Sequence, residues 1–108
     1  MSNGILLVTT DQLPGRSISQ VHGLVRGTSV RARNIGRDIV AGMKNLIGGE
    51  VQEYTKLMAE TREQALDRMR AEAKALGANA VVGLRFSSSE IATGTAEVLV
   101  YGTAVTID

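Results

Sequence analysis

The side chains best suited to metal chemistry are a single histidine, His22, and two carboxylates, Glu50 and Glu53. Soft metals prefer thiolate or imidazole ligands, and the chain has no cysteine and no second histidine, so one copy cannot supply a soft-metal site alone. Glu50 and Glu53 have a helical i, i+3 spacing, which suits a hard cation or acid–base work. The alternatives are a strand histidine that is half exposed or hydrogen-bonded for His22, and stabilisation of a helix N-terminus by the two carboxylates.

A second group of polar residues lies in and just after the stretch 34–50, NIGRDIVAGMKNLIGGE. Its members are Arg37, Asp38, Lys44, Glu50 and Tyr54. One interpretation is a cleft in which Arg37 and Lys44 attract an anionic ligand. The other is a joint between subunits, where Asp38 or Glu50 of one copy meets Arg37 of the next, since arginine pairs well with interface carboxylates. We favour the joint, which would place any ligand cleft between subunits.

Complete catalytic and nucleotide-binding motifs are missing from the sequence. There is no G-x-G-x-x-G, no Walker pattern and no G-x-S-x-G, and the serines at 87–89 have no histidine near them in sequence. We therefore expect no catalytic residues and no enzymatic activity. No cofactor is implied beyond a divalent metal at His22 or at the paired carboxylates.

The composition excludes several classes of partner. A net charge of +1, from 12 basic and 11 acidic residues, favours neither nucleic acid nor an anionic membrane. Apolar residues make up 44% of the chain but aromatic residues only 3%, so a small aliphatic core would gain from contact with further copies. The first apolar run, Ile5 to Val8, is too short for a signal peptide or a membrane span, which predicts a cytoplasmic protein.

A chain of 108 residues fits a single domain over residues 1–108, and hydrophobic periodicity predicts both helices and strands in it, as in the α+β class. The predicted elements are a strand over 5–10, a strand over 18–32, a short helix over 35–47, a longer helix over 51–76, a strand over 79–86, a polar loop over 87–95 and a strand over 96–107. The long helix should bury a stripe that runs from Tyr54 to Leu76, while Arg68 and Glu72 should form an i, i+4 ion pair on its solvated side.

The last strand is apolar or small on both faces. Val98, Val100, Gly102 and Ala104 alternate with Leu99, Tyr101, Thr103, Val105 and Ile107. A sheet with one face in water normally alternates apolar and polar residues. In a two-layer domain the helices cover one face only, so we expect another subunit to cover the second face.

Three pieces of this sequence, NIGRDIVAG, the GGE…Y spacing and ALGANAVVG, closely resemble the YbjQ family of small bacterial proteins. The resemblance covers nearly the whole chain. It implies a two-layer sandwich of helices on an antiparallel sheet, similar to a dodecin subunit, and a homopentameric ring, with pairing of two rings left open. The family is of unknown function, is labelled "putative heavy-metal-binding", and brings no agreed catalytic residues.

Two further alternatives follow from that resemblance. In a closed ring, symmetry-related copies of His22, or of Glu50 and Glu53, would converge and could bind a metal that one chain cannot. The similarity to dodecin subunits also suggests a small-molecule binder of the flavin type, although a chain this poor in aromatic residues has few rings to stack on a flat cofactor. The preferred interpretation is a non-enzymatic homopentameric binding or scaffold protein.

Overall fold

The computed structural model describes residues 4–32, 52–92 and 95–108, which form a four-stranded sheet with one helix packed on it. Its elements are β1 (Leu6–Leu7), β2 (Ile18–Ala32), α1 (Gln52–Ala75), β3 (Ala80–Ala92) and β4 (Thr95–Ile107). The α+β class is therefore confirmed. The predicted helix over 35–47 lies outside the described residues.

The sheet is mixed, and the prediction of a purely antiparallel sheet is wrong at one strand. The strand order is β1-β3-β4-β2. β4 pairs antiparallel with both β2 and β3, whereas β1 pairs parallel with β3 through Leu6↔Ala80 and Leu7↔Val81. The chain between β1 and β3 contains β2 and α1, and this long connection returns it in the same direction.

The predicted loop over 87–95 is also wrong, because β3 continues to Ala92. Ser87 pairs with Leu99 and Ser89 with Glu97, so the serine-rich segment forms half of a long hairpin with β4. Polar side chains do not prevent this pairing, since a ladder is held by backbone groups that every residue except proline carries.

The helix ends where glycine permits a left-handed turn. Gly77 has φ of 85°, and Ala78 N–H donates to the Ala73 carbonyl at 3.1 Å, the bond that closes a Schellman cap. The buried stripe of α1 agrees with the prediction at Leu57, Thr61, Ala65, Met69 and Ala73. Leu76 was predicted to belong to this stripe but is 46% exposed, because it lies beyond the last residue of the helix.

The core lies between α1 and the middle of β2 and β4. Ala65 and Met69 pack with Val25 and Val100, all fully buried. The two backbones meet at Gly27 of β2, where an added Cβ would lie 2.0 Å from the Ala65 carbonyl oxygen. Glycine is therefore required for this contact between helix and sheet.

The second face of the sheet is divided into a covered part and an open part. At the covered end, Val105 and Ile107 form a cluster against which Val8 and Leu13 of the N-terminal segment pack. At the open end, Leu24 is 63% and Tyr101 39% exposed. The chain itself thus covers one end of this face, and the expectation that another subunit covers the rest stays a prediction. In the described ranges, no helix combines the length and apolarity that crossing a membrane would need.

Candidate functional site

His22 lies on β2, at the bulge between Val21 and Gly23, and is half-buried. Its Nε2 is 2.7 Å from Thr106 Oγ1, which is a hydrogen bond between neighbouring strands. A metal ion would therefore either compete with Thr106 for Nε2 or bind at Nδ1. The geometry is that of a hydrogen-bonded strand histidine, and the role of His22 as a ligand stays a prediction.

The donor atoms of one copy do not fit a soft heavy metal. Across residues 4–32, 52–92 and 95–108, no three His, Cys, Asp or Glu side chains come together. The chain also has no thiolate to offer. Glu50 lies outside the described residues, and Glu53 is on the first turn of α1 with its side chain outside the described part. Any metal site that involves these carboxylates would depend on contacts beyond those described.

The predicted cleft residues fall largely on the same undescribed segment. Arg37, Asp38, Lys44 and Glu50 lie outside the described residues. Tyr54 is on the first turn of α1, and its side chain lies outside the described part. The inter-subunit joint therefore stays a prediction.

A shallow groove of about 480 Å³ lies between α1 and the C-terminal end of β2. It is lined by Arg31, Ala59, Glu60, Glu63, Gln64 and Asp67. Three of these residues take part in two contacts that tie the helix to the strand: Arg31 Nη1 contacts Glu60 Oε2 at 3.0 Å, and Gln64 Oε1 accepts from Ser29 Oγ of β2. The contacts of Arg31, Glu60 and Gln64 accordingly fix α1 on β2.

The strongest surface feature is apolar. Leu24, Val30, Leu99 and Tyr101 lie on the side of the sheet away from α1, and we call this surface the open face. Leu24 and Val30 are more than half exposed, and Leu99 is partly exposed. The sequence predicted the β4 part of this surface but not the β2 part. Leu24 and Val30 are an even number of residues apart, so their side chains lie on the same side of the strand, and this spacing could have identified them.

Arg68 and Glu72 do not form the ion pair that their spacing predicts. Arg68 Nη1 donates to the Thr28 carbonyl at 2.6 Å, and Glu72 Oε1 accepts from the Arg26 N–H at 3.3 Å. Both side chains therefore bind the backbone of β2. The expectation that the charged side of α1 is only solvated is wrong at these two positions.

Comparison with known proteins gives consistent matches over the full length. The YbjQ family model, described as "Putative heavy-metal-binding", matches residues 5–108. The UPF0145 protein TK1926 of Thermococcus kodakarensis is 54% identical over 105 residues, which is 97% of this chain and 93% of that protein. A UPF0145 protein of Clostridium perfringens is 50% identical over 101 residues, with 94% and 95% covered. The relatives thus include archaeal proteins, which corrects the bacterial range expected from the resemblance.

A solved structure supports the fold. The crystal structure of a protein of unknown function from Pediococcus pentosaceus, described as a member of the DUF74 family, aligns with a TM-score of 0.68. The alignment covers 97% of this chain and 99% of that one, at 20% identity. At this identity the similarity concerns the fold alone.

Proposed function

Because this chain belongs to the YbjQ family, whose UPF0145 members carry no assigned activity, we propose that it is a non-enzymatic, self-assembling binding or scaffold protein. Copies associate through the open face and close into a ring of five. Any ligand binds between subunits, in a cleft that includes Arg37, Asp38, Lys44, Glu50 and Tyr54.

The observation that carries the proposal is the exposure of the open face. Leu24 is 63%, Val30 51% and Tyr101 39% exposed, although all three belong to the two strands on which the helix packs. Clustered exposed apolar side chains mark interaction surfaces, since each contributes free energy when it leaves water. Among the described residues, the N-terminal segment covers the other end of this face, which leaves the open face for a partner.

The occupant proposed is a second copy of the chain. A net charge of +1 offers little repulsion between copies, and the aliphatic side chains and one tyrosine of the open face alternate with the exposed polar residues Arg26 and Thr28 of β2. Soluble homo-oligomers usually close into a symmetric assembly. The number five comes from the resemblance to the YbjQ family.

The subunit itself is elongated, 53 × 25 × 23 Å, and its Cα radius of gyration of 17.0 Å exceeds the roughly 13 Å of a compact chain of this length.

Metal binding is a weaker alternative for this chain. The family description suggests it, but one copy lacks thiolate, and its single imidazole is hydrogen-bonded to Thr106. A metal site would need His22, Glu50 or Glu53 from several copies at once. The ring would therefore have to form first, so assembly is the property to test.

Leu24→Glu should disrupt the assembly. A carboxylate buried at the contact without a partner costs roughly 3 kcal/mol, which would raise the dissociation constant about a hundredfold. The isolated subunit should tolerate the change, because Leu24 is already 63% exposed. Sedimentation velocity across a range of micromolar concentrations measures the shift toward smaller species.

Leu76→Glu is the matched control, since it makes the same substitution at a leucine that is 46% exposed beyond the end of α1, away from the open face. This variant should sediment like the unmodified protein. If Leu24→Glu also keeps the native sedimentation coefficient at every concentration, the open face is not the contact.

A further inference from the structure

The outer edge of β2 is bound by two side chains of the helix. β2 is at one end of the sheet order and pairs only with β4 among the described strands. In an antiparallel pair, alternate residues direct both backbone groups away from the partner strand. The Arg26 N–H and the Thr28 carbonyl are bonded to α1, so they belong to this outward set.

An outward row of backbone groups is a template for another strand. On β2 the risk that another strand adds to the edge is increased by the length of the strand and by its exposed apolar side chains. The strand has 15 residues, and Leu24 and Val30 on either side of the bonded positions are 63% and 51% exposed. β2 has bulges near its start but pairs without a register shift from Gly23 to Ala32, and long regular edges with exposed apolar side chains are the ones through which proteins aggregate.

The spacing of Arg68 and Glu72 matches the spacing of the groups that they bind. Four residues of helix advance about 6 Å, and two residues of strand advance about 6.6 Å. An i, i+4 pair on α1 therefore lies alongside an i, i+2 pair on β2. The chemistry matches as well, because the carboxylate of Glu72 accepts from an N–H and the guanidinium of Arg68 donates to a carbonyl.

We infer that Arg68 and Glu72 protect the outer edge of β2 against strand addition by another copy of this chain. An incoming strand must displace both side chains to reach the Arg26 N–H and the Thr28 carbonyl. It must also bring a positive and a negative charge into a contact from which water is excluded, and that desolvation is unfavourable. The protected groups are backbone atoms of Arg26 and Thr28, whereas the open face is formed by side chains, so the inference does not depend on the proposed ring.

The test compares two double variants that leave the net charge unchanged. The first, Arg68→Ala with Glu72→Ala, removes the edge contacts. The second, Arg62→Ala with Glu63→Ala, removes one base and one acid from exposed positions on the same helix. Aggregation is followed by light scattering and thioflavin fluorescence at equal concentration and at a temperature well below both unfolding midpoints.

We expect the first variant to aggregate roughly tenfold faster than the control variant, with a thioflavin signal typical of added strands. Equal rates for the two double variants would overturn the inference.

Thr28→Pro separates strand addition from a simple loss of stability. The Thr28 N–H points outward with its carbonyl, so proline removes no bond to β4, and it blocks an incoming strand. In the Arg68→Ala, Glu72→Ala background, Thr28→Pro should return the aggregation rate to that of the control variant. Proline adds no contact to the fold, so the slower aggregation would not come from a more stable subunit. If the triple variant aggregates as fast as the double variant, the edge is not the route and the inference fails.

Discussion

Gly27→Ala is expected to destabilise the subunit by more than about 3 kcal/mol, at the upper end of what overpacking usually costs. The added Cβ would lie 2.0 Å from the Ala65 carbonyl oxygen and 2.7 Å from the Met69 nitrogen. Both neighbours are helix backbone, which cannot rotate away as a side chain would. The whole helix would have to retreat by about 1 Å or more, which loosens the core on both sides of it.

Urea unfolding at one fixed chain concentration measures this effect, because assembly would otherwise shift the apparent stability. Thr28→Ala is a suitable control, since its exposed side chain is on the opposite side of the same strand. It should change the free energy of unfolding by less than about 1 kcal/mol. A Gly27→Ala variant as stable as this control would show that the helix does not approach the sheet as closely as described.

Met69→Ala should cost about 2–5 kcal/mol, the range observed when large apolar side chains are truncated in a core. Met69 is fully buried between α1 and the sheet, in the same cluster as Val25, Val98 and Val100. Because the strand backbones around it are held by ladders on both sides of β4, we expect the vacated space to collapse only in part.

Leu76→Ala provides the comparison for this cavity. Leu76 is 46% exposed, so its truncation should cost less than about 1 kcal/mol. Thermal or urea unfolding of both variants at equal concentration distinguishes them. Equal losses would contradict the assignment of the core to the contact between Met69 and the sheet.

Local patterns predicted β2, α1 and β4 to within one residue, whereas the strand predicted over 5–10 is limited to Leu6–Leu7. The strand over 18–32 has the predicted bounds, and α1 begins and ends within one residue of its predicted ends. In α1 the apolar stripe of period 3.6 and the capping Gly77 act on the helix directly. The serine-rich segment was predicted wrongly because residue type favours a loop there, whereas pairing with β4 makes it a strand.

Contacts between distant segments could not be read from the sequence. The spacing of Arg68 and Glu72 predicts an ion pair, yet the position of β2 beside α1 gives each of them a backbone partner instead. Likewise, the apolar second face of β4 was correctly identified, but the packing of Val8 and Leu13 on one end of it depends on the path of the N-terminal segment. Of the candidate site residues, only His22 has a described side-chain environment, and this is a bond to Thr106.

The most direct test of self-assembly is native mass spectrometry of gently purified, untagged protein. We predict a main species of five times the 11.4 kDa chain mass at micromolar concentration, and the same spectrum reports any retained ligand or metal. A spectrum dominated by the mass of a single chain under these conditions would contradict the proposed assembly.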